Sequence, residues 1–276
     1  MSNQPISFIK IINPGFSRRK IKTALFDFDG TLSLIRQGWM DVMVPMMVEE
    51  LRSVNPNEDV DKLAVSVRES VYRLTGKQTI YQMKELADQI RKRGAIPLDP
   101  IEYKHRYIKL LWDRIAGRVA GLNEGSISPE DMMVPGSINL LKGLRQRGVR
   151  LYLASGTDEL PVQDEAAALG ISEYFEGIYG AREGQLDFDK DQVIRMILEE
   201  NRLDGSELLG FGDGFVEIEE VKKAGGVAIG VASNESERKG WDDWKCQRLE
   251  RAGADLIIPD YRESEGLLSF LFDERG

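Results

Sequence analysis

Leu25-Phe26-Asp27-Phe28-Asp29-Gly30-Thr31 is the stretch on which the reading of this chain turns. A run with strand character, Thr23 to Phe28, ends on two carboxylates two residues apart and then turns at a glycine. Side chains alternate faces along a strand, so Asp27 and Asp29 point the same way. They stand at the C-terminal edge of the strand, where α/β proteins keep their sites. Like charges that close repel each other, and a counter-ion is needed to hold them together. A hard divalent cation with oxygen ligands, Mg²⁺ above all, meets that need. Taken alone, the same residues also fit an acidic turn after a strand, since Asp and Gly are common in turns.

The segments around this strand fall into two patterns. From Trp39 to about Gly125 the apolar residues recur at helical spacing. Met43, Met46, Met47, Val48 and Leu51 give one face, and Leu63, Val67, Val71 and Leu74 a second. Ile80, Met83, Leu86, Ala87 and Ile90 give a third, and Tyr107, Leu110, Leu111, Ile115 and Val119 a fourth. No strand signal interrupts them, so the region reads as a helical bundle inserted just after the first strand. From Ser137 onward, helices alternate with short buried apolar runs: Val149 to Ala154, Tyr174 to Tyr179, Leu208 to Phe211, Val227 to Val231 and Asp255 to Ile258. Such alternation implies a parallel sheet with helices on both faces. Ser7 to Ile12 has the makings of one more short strand.

Composition narrows the chemistry. The 276 residues suffice for one large domain, or a core with a smaller insert. A net charge of −9, from 37 basic and 46 acidic residues, argues against a nucleic-acid surface. The single cysteine, Cys246, excludes a disulfide framework within the chain and Cys-rich zinc sites. The single histidine, His105, excludes a His-cluster metal site and reads as a surface or packing residue. Carboxylates, Lys, Ser/Thr and a metal are left to do the work. No apolar run is long enough to span a membrane, and the N-terminus has no signal-peptide core, so a cytoplasmic protein is expected.

Three later segments bear on Asp27 and Asp29. Ser155-Gly156-Thr157 follows a strand, where a hydroxyl and backbone N–H groups can cradle a phosphate. The same serine also fits the N-cap of the next helix. Asp213 closes another strand, and Glu217 lies four residues on, near a helix start, so the two carboxylates can converge on one cation. Lys190, in Phe188-Asp189-Lys190-Asp191, opens a helix, where the dipole disfavours a cation and a lysine needs another reason to be. Taken in chain order, with Lys190 before Asp213, the four segments resemble motifs I to IV of the haloacid dehalogenase (HAD) superfamily, over about Lys22 to Asp260.

The resemblance implies a Rossmann-like, doubly wound parallel sheet at residues 1–34 and 126–276, with an inserted all-helical cap of C1 type at 35–125. It implies a Mg²⁺-dependent phosphatase acting through an aspartyl-phosphate, with Asp27 as nucleophile and Asp29 as general acid and base. Phosphate binding would fall to Thr31, Ser155, Gly156 and Lys190, and metal binding to Asp27, Asp29, Asp213 and Glu217. The motif's usual second acid is Asp; here it is Glu217, whose longer side chain leaves direct or water-bridged contact open. The family's dehalogenases and phosphonatases lack an acid where this chain has Asp29, which disfavours both. A sugar phosphomutase keeps both aspartates and stays an alternative, as does a catalytically silent binding protein on the same fold. In the cap, Arg36, Trp39, Arg73, Thr75, Lys77 and Gln78 are candidate contacts to the leaving group. The loop Thr75-Gly76-Lys77-Gln78-Thr79 fits a specificity element and an ordinary interhelix turn equally well. A large roofing cap favours a small phosphorylated metabolite over a protein substrate. Trp241 and Trp244 fit helix packing or a partner surface.

Overall fold

The computed structural model describes residues 8–182 and 190–272. Ser7, Phe188 and Asp189, quoted above with their neighbours, lie outside them. The chain begins with β1 (Lys10–Ile11) and β2 (Thr23–Phe26), then forms four helices: α1 (Met40–Val54), α2 (Val60–Arg73), α3 (Thr79–Lys92) and α4 (Pro100–Glu124). It continues through α5 (Ser137–Gln146), β3 (Arg150–Asp158), α6 (Glu159–Ala168), β4 (Phe175–Ala181) and α7 (Lys190–Asn201). β5 (Leu208–Gly212), α8 (Phe215–Lys223), β6 (Val227–Val231), α9 (Asp243–Arg251), β7 (Leu256–Ile258) and α10 (Ser264–Leu271) complete it.

The seven strands form one sheet in the order β1-β7-β6-β5-β2-β3-β4, parallel except for β1, which pairs antiparallel with β7 at its edge. β2 is the central strand, with β5 on one side and β3 on the other. Its four residues, Thr-Ala-Leu-Phe, are all buried, as an unbroken apolar strand in a doubly covered parallel sheet must be. Alternate side chains feed two cores. Phe26, Leu153, Phe211 and Ile229 pack on one face, and Leu25, Tyr152, Leu208 and Ala228 on the other. Phe26 stacks on Phe211 with ring centroids 4.5 Å apart, locking β2 to β5 where the strands end. The chain winds to one side of β2 through β3 and β4 and to the other through β5 to β7. The C-terminal ends of β2, β3 and β5 therefore mark the switch point where such sheets bind ligands.

The four helices between β2 and α5 pack mainly on one another, α1 on α2, α3 and α4, and α3 on α4. Met43, Met47, Leu51, Met83, Leu86 and Ile115 are fully buried between them. Their ends follow local chemistry: Asp59 caps α2 by accepting from the Lys62 N–H, and Asp99 caps α4 just before Pro100. Gly125, at φ 75°, closes α4 in the left-handed region. The segments entering and leaving this helical insert touch. Ser33 and Met133 form an antiparallel bridge, flanked by Leu34 N–H to Met132 carbonyl at 2.8 Å and Val134 N–H to Leu32 carbonyl at 2.9 Å.

The structure departs from the sequence reading in three places. β3 does not stop at Ala154; after an irregularity it pairs with β4 again at Asp158 and Ala181. Ser155 is therefore inside the strand, and the residue before α6 is Asp158. The charged segment holding Trp244 folds as α9, capped by Asp242. The short α10, packed on α5, was not foreseen. Among the described residues no helix is long and apolar enough to cross a membrane.

Candidate active site

Asp27 is the first residue past β2, and its N–H still donates to the Phe211 carbonyl at 2.9 Å. The ladder thus fixes the backbone that carries the carboxylate. Asp27 is buried, and its Oδ1 accepts a hydrogen bond from Lys190 Nζ at 2.6 Å. Lys190 opens α7, and its buried ammonium also donates to Glu217 Oε1 from α8. Burial raises the Asp27 pKa well above its ordinary value; Lys190 opposes this, and the charges of Glu217 and Asp213 add to it. For Lys190, burial works against the charged form, but Asp27 and Glu217 outweigh it and hold the ammonium protonated.

Asp29 is set two residues on, as the alternation requires. Its Oδ2 accepts from Thr157 Oγ1 at 2.9 Å, while its buried Oδ1 has no hydrogen-bond partner. Arg36 Nε lies 3.8 Å from Asp29 Oδ1. The Arg36 guanidinium is gripped by Glu165 of α6, with Nη2 donating to Oε1 at 2.6 Å and Nε donating to Oε1 at 3.0 Å. Burial raises the Asp29 pKa against the pull of Arg36 and the Thr157 hydrogen bond. Asp29 is thus a carboxyl group that holds a proton more tightly than an exposed one.

Asp213 follows β5, with its N–H donating to Thr31 Oγ1 at 3.0 Å. Gly30 packs so tightly here that a Cβ on it would sit 2.3 Å from Asp213 Oδ2. Gly30 has φ 75°, so glycine is required both by the backbone and by the close approach. Ser155 Oγ accepts from the Thr157 N–H at 3.1 Å and, with Gly156 and Thr157, lines the same cavity as Asp27, Asp29, Lys190 and Asp213. That cavity holds about 110 Å³ and is roofed by the helical insert. Arg36, Trp39, Thr75 and Lys77 line it from the insert and its entry segment.

Three expectations change. Thr31 is completely buried and does not line the cavity; its hydroxyl is spent on the Asp213 N–H, so it braces the loop instead of meeting a phosphate. Glu217 is turned to Lys190, and its other oxygen, Oε2, is buried without a hydrogen-bond partner. Its role is thereby attached first to the lysine. Arg73 is exposed and paired with Glu85 at 3.4 Å, away from the cavity. Gln78 lines a neighbouring recess with Tyr81, Ser155 and Tyr179, while Lys77 lines both spaces. Lys77 and Gly156 touch, because a Cβ on Gly156 would stand 2.9 Å from the Lys77 carbonyl oxygen. The insert's loop thus rests directly on β3 beside Ser155. Trp244 tilts against Tyr72 of α2, ring centroids 4.2 Å apart, so it serves the seam between insert and sheet. His105 is exposed on α4 and Cys246 is buried on α9.

Four participants were not singled out from the sequence: Thr157, Glu165, Glu235 and Lys245. Lys245 Nζ is buried and lies 2.8 Å from Asp213 Oδ2 and 2.7 Å from Glu235 Oε1. It stands in the first turn of α9, where a cation opposes the helix dipole. The same anomaly marks Lys190, where the sequence had shown it.

The donor atoms suit a hard cation. Among the described residues no three acidic, His or Cys side chains gather around one point. Mg²⁺ does not need them, since it is commonly held by one or two carboxylates with water and substrate phosphate completing its shell. Asp27 and Asp213 are two such carboxylates, both on the cavity wall.

The arrangement defines a class: a buried carboxylate paired with a lysine, a second carboxyl group beside it, and a serine hydroxyl, at the switch point of a doubly wound sheet under a helical lid. Comparison with known proteins agrees with that class. The family model for haloacid dehalogenase-like hydrolases matches residues 21–225, and the chain belongs to that family. It is 25% identical to phosphoglycolate phosphatase of Escherichia coli (strain K12) over 214 residues, 76% of this chain and 81% of that protein. A predicted phosphoglycolate phosphatase from Haemophilus somnus 129pt superposes with TM-score 0.59 at 18% identity, covering 90% of this chain and 98% of that one. β-Phosphoglucomutase from Clostridium difficile superposes with TM-score 0.60 at 15% identity, covering 88% and 92%. The chain is a hydrolase of that family, and these two solved structures share its fold.

Proposed function

We propose that this chain is a Mg²⁺-dependent phosphatase that hydrolyses a small phosphorylated metabolite through an aspartyl-phosphate on Asp27. The observation that carries the reading is the Asp27–Lys190 pair at the floor of the cavity, with Asp29 and Ser155 on its wall. One Asp27 oxygen is oriented by Lys190, and the other is available to attack phosphorus in line with the leaving oxygen. As the P–O ester bond breaks, Asp29 gives its proton to the departing alkoxide, which its raised pKa equips it to do. In the second half, Asp29 takes a proton from water as that water attacks phosphorus. The bond to Asp27 then breaks, and inorganic phosphate leaves with the carboxylate restored. Ser155 and Lys190 donate hydrogen bonds to phosphoryl oxygens on which charge builds. Thr157 and Arg36 keep Asp29 aimed. Asp27, Asp213 and the Asp29 main-chain carbonyl, with Glu217 nearby, would hold a Mg²⁺, which would supply the positive charge that lets an anionic nucleophile meet an anionic substrate.

Residues 35–125 are the cap in this reading. Closing over the cavity, they exclude bulk water and meet the leaving group. The small cavity suits a compact phosphate ester, and the phosphoglycolate phosphatase relative makes a short phosphorylated acid a sensible first substrate to try. The test is phosphate release across a panel of small phosphate esters, with and without chelation. Turnover is expected to vanish in EDTA and to return with Mg²⁺, while Ca²⁺ inhibits because its looser shell misplaces the in-line geometry. Full activity after exhaustive chelation would remove the metal from the mechanism. Interconversion of sugar phosphates without net phosphate release would favour the mutase, and no turnover of any ester would leave a binding protein.

Specificity separates from chemistry in a second measurement. Lys77→Ala or Gln78→Ala is expected to damage turnover of the best ester in that panel about tenfold more than turnover of a small aryl phosphate, the size of one lost polar contact. Ser155→Ala should harm both alike, because every substrate shares the phosphoryl group. Equal losses on both substrates for the Lys77 and Gln78 changes would return the loop to an ordinary turn.

A further inference from the structure

Two lysines occupy first turns of helices that start at the C-terminal edge of the sheet, and the mechanism above uses only one. Lys190 is accounted for by Asp27 and Glu217. Lys245 has a matching environment. Its buried ammonium lies 2.8 Å from Asp213 Oδ2 and 2.7 Å from Glu235 Oε1, and it donates to Ser233 Oγ at 3.3 Å. Ser233 Oγ in turn donates to the Gly30 carbonyl at 2.8 Å, tying this lysine to the loop that carries Asp29. A buried cluster of charges is costly, and well-packed apolar side chains in place of all its members would serve stability as well or better. Stability therefore gives no reason for a lysine here. Glu235, on the loop between β6 and α9, faces the cavity. The ammonium thus has one carboxylate from the candidate metal site and one from outside it.

We propose that Lys245 and Glu235 are positioning residues that set the cation affinity of the site through Asp213. Lys245 holds Asp213 by Oδ2 and presents the other oxygen to the cation. Glu235 neutralises the ammonium, which would otherwise repel a divalent ion across one carboxylate. The inference rests on the reading of Asp213 as a metal ligand. It makes the two partners act in opposite directions. Losing Glu235 exposes the cation to an uncompensated ammonium and weakens binding. Losing Lys245 leaves Asp213 and Glu235 unopposed and strengthens it.

The test is calorimetric titration of Mg²⁺ into the full chain, with a thermal melt in metal-free buffer beside it. Glu235→Gln is expected to weaken Mg²⁺ binding roughly tenfold, and Lys245→Met to tighten it by a similar factor, the scale on which a nearby unit charge acts inside a protein. The Lys245→Met melt should fall without metal and recover when Mg²⁺ is added, and the double variant should return toward the affinity of the unaltered chain. Should Lys245→Met fail to fold, the Glu235→Gln titration decides alone. Unchanged Mg²⁺ affinity in the variants would overturn this inference and leave the metal reading standing. No Mg²⁺ uptake by the unaltered chain would overturn both.

Discussion

Asp27→Asn is expected to abolish phosphate release, by about 10⁴-fold or more, while leaving the fold intact. The amide has nearly the same shape but is a poor nucleophile. The fold should survive for a reason visible in the site. Asp27 is pressed toward its neutral form by burial and by the charges of Glu217 and Asp213, so its ionised form is disfavoured in the folded chain. The sign follows from linkage. A carboxyl that holds its proton more tightly when folded contributes stability below its ordinary range, and that contribution is lost as pH rises through the raised value. Asparagine carries no such loss, and Lys190 keeps Glu217 as a partner. In metal-free buffer the variant should therefore melt at or above the unaltered chain at neutral pH, with the difference growing from acid to neutral pH. Retained turnover of an aryl phosphate would show that Asp27 is not the nucleophile.

The opposite balance is expected for Lys190→Ala, which should damage both stability and chemistry. Removing one partner of a buried ion pair leaves an uncompensated charge, at a cost of about 3–5 kcal/mol. Here two carboxylates, Asp27 and Glu217, would be left facing each other around a hole. In a chain of this size that corresponds to a fall in the melting midpoint of roughly 10 °C. Turnover should fall on every substrate alike, since the ammonium serves the phosphoryl group and not the leaving group. A variant that melts normally and turns over both an aryl phosphate and a metabolite ester would return Lys190 to an ordinary surface lysine. Lys223 shows what that looks like: it is exposed and pairs with Glu220 at 3.2 Å, away from the cavity.

Much of this was legible in the chain because it depends on short-range pattern. β2, β5 and β6 are unbroken apolar runs, and nothing else in a doubly covered sheet reads that way. The insert's helices announce themselves through stripes of Met, Leu and Val that do close into one core. β3 was cut short because Ser-Gly-Thr-Asp has the composition of a turn; its pairing with β4 resumes only at Asp158, a tertiary fact. α10 is eight residues long, too short for periodicity to stand out. In the site, Asp27, Asp29, Ser155, Lys190 and Asp213 share one cavity; nearby strand ends had marked four of them, and a cation at a helix start had marked Lys190. Thr31 could not be placed, because whether a hydroxyl meets a ligand or a neighbouring N–H is decided by a contact across the sheet. Glu165 was silent for the same reason, since its partner Arg36 lies 129 residues away, and Glu235 was silent because Lys245 meets it only once α9 has folded.

The bridge between Ser33 and Met133 has a consequence of another kind. Because the two ends of the insert are hydrogen-bonded side by side, the sheet meets the whole helical region as a single closed loop. The entropy of closing a loop grows only with the logarithm of its length, about 0.6 kcal/mol for each doubling. Lengthening, shortening or exchanging everything beyond the bridge therefore asks little of the sheet's stability, and it leaves the ends of the loop where they are. The carboxylates of Asp27 and Asp29 stand on the sheet side of that junction, whereas Thr75 and Lys77 stand beyond it. Inheritance can thus act on the two separately. Variation beyond the junction can reshape the roof of the cavity while Asp27 and Asp29 stay where the sheet holds them.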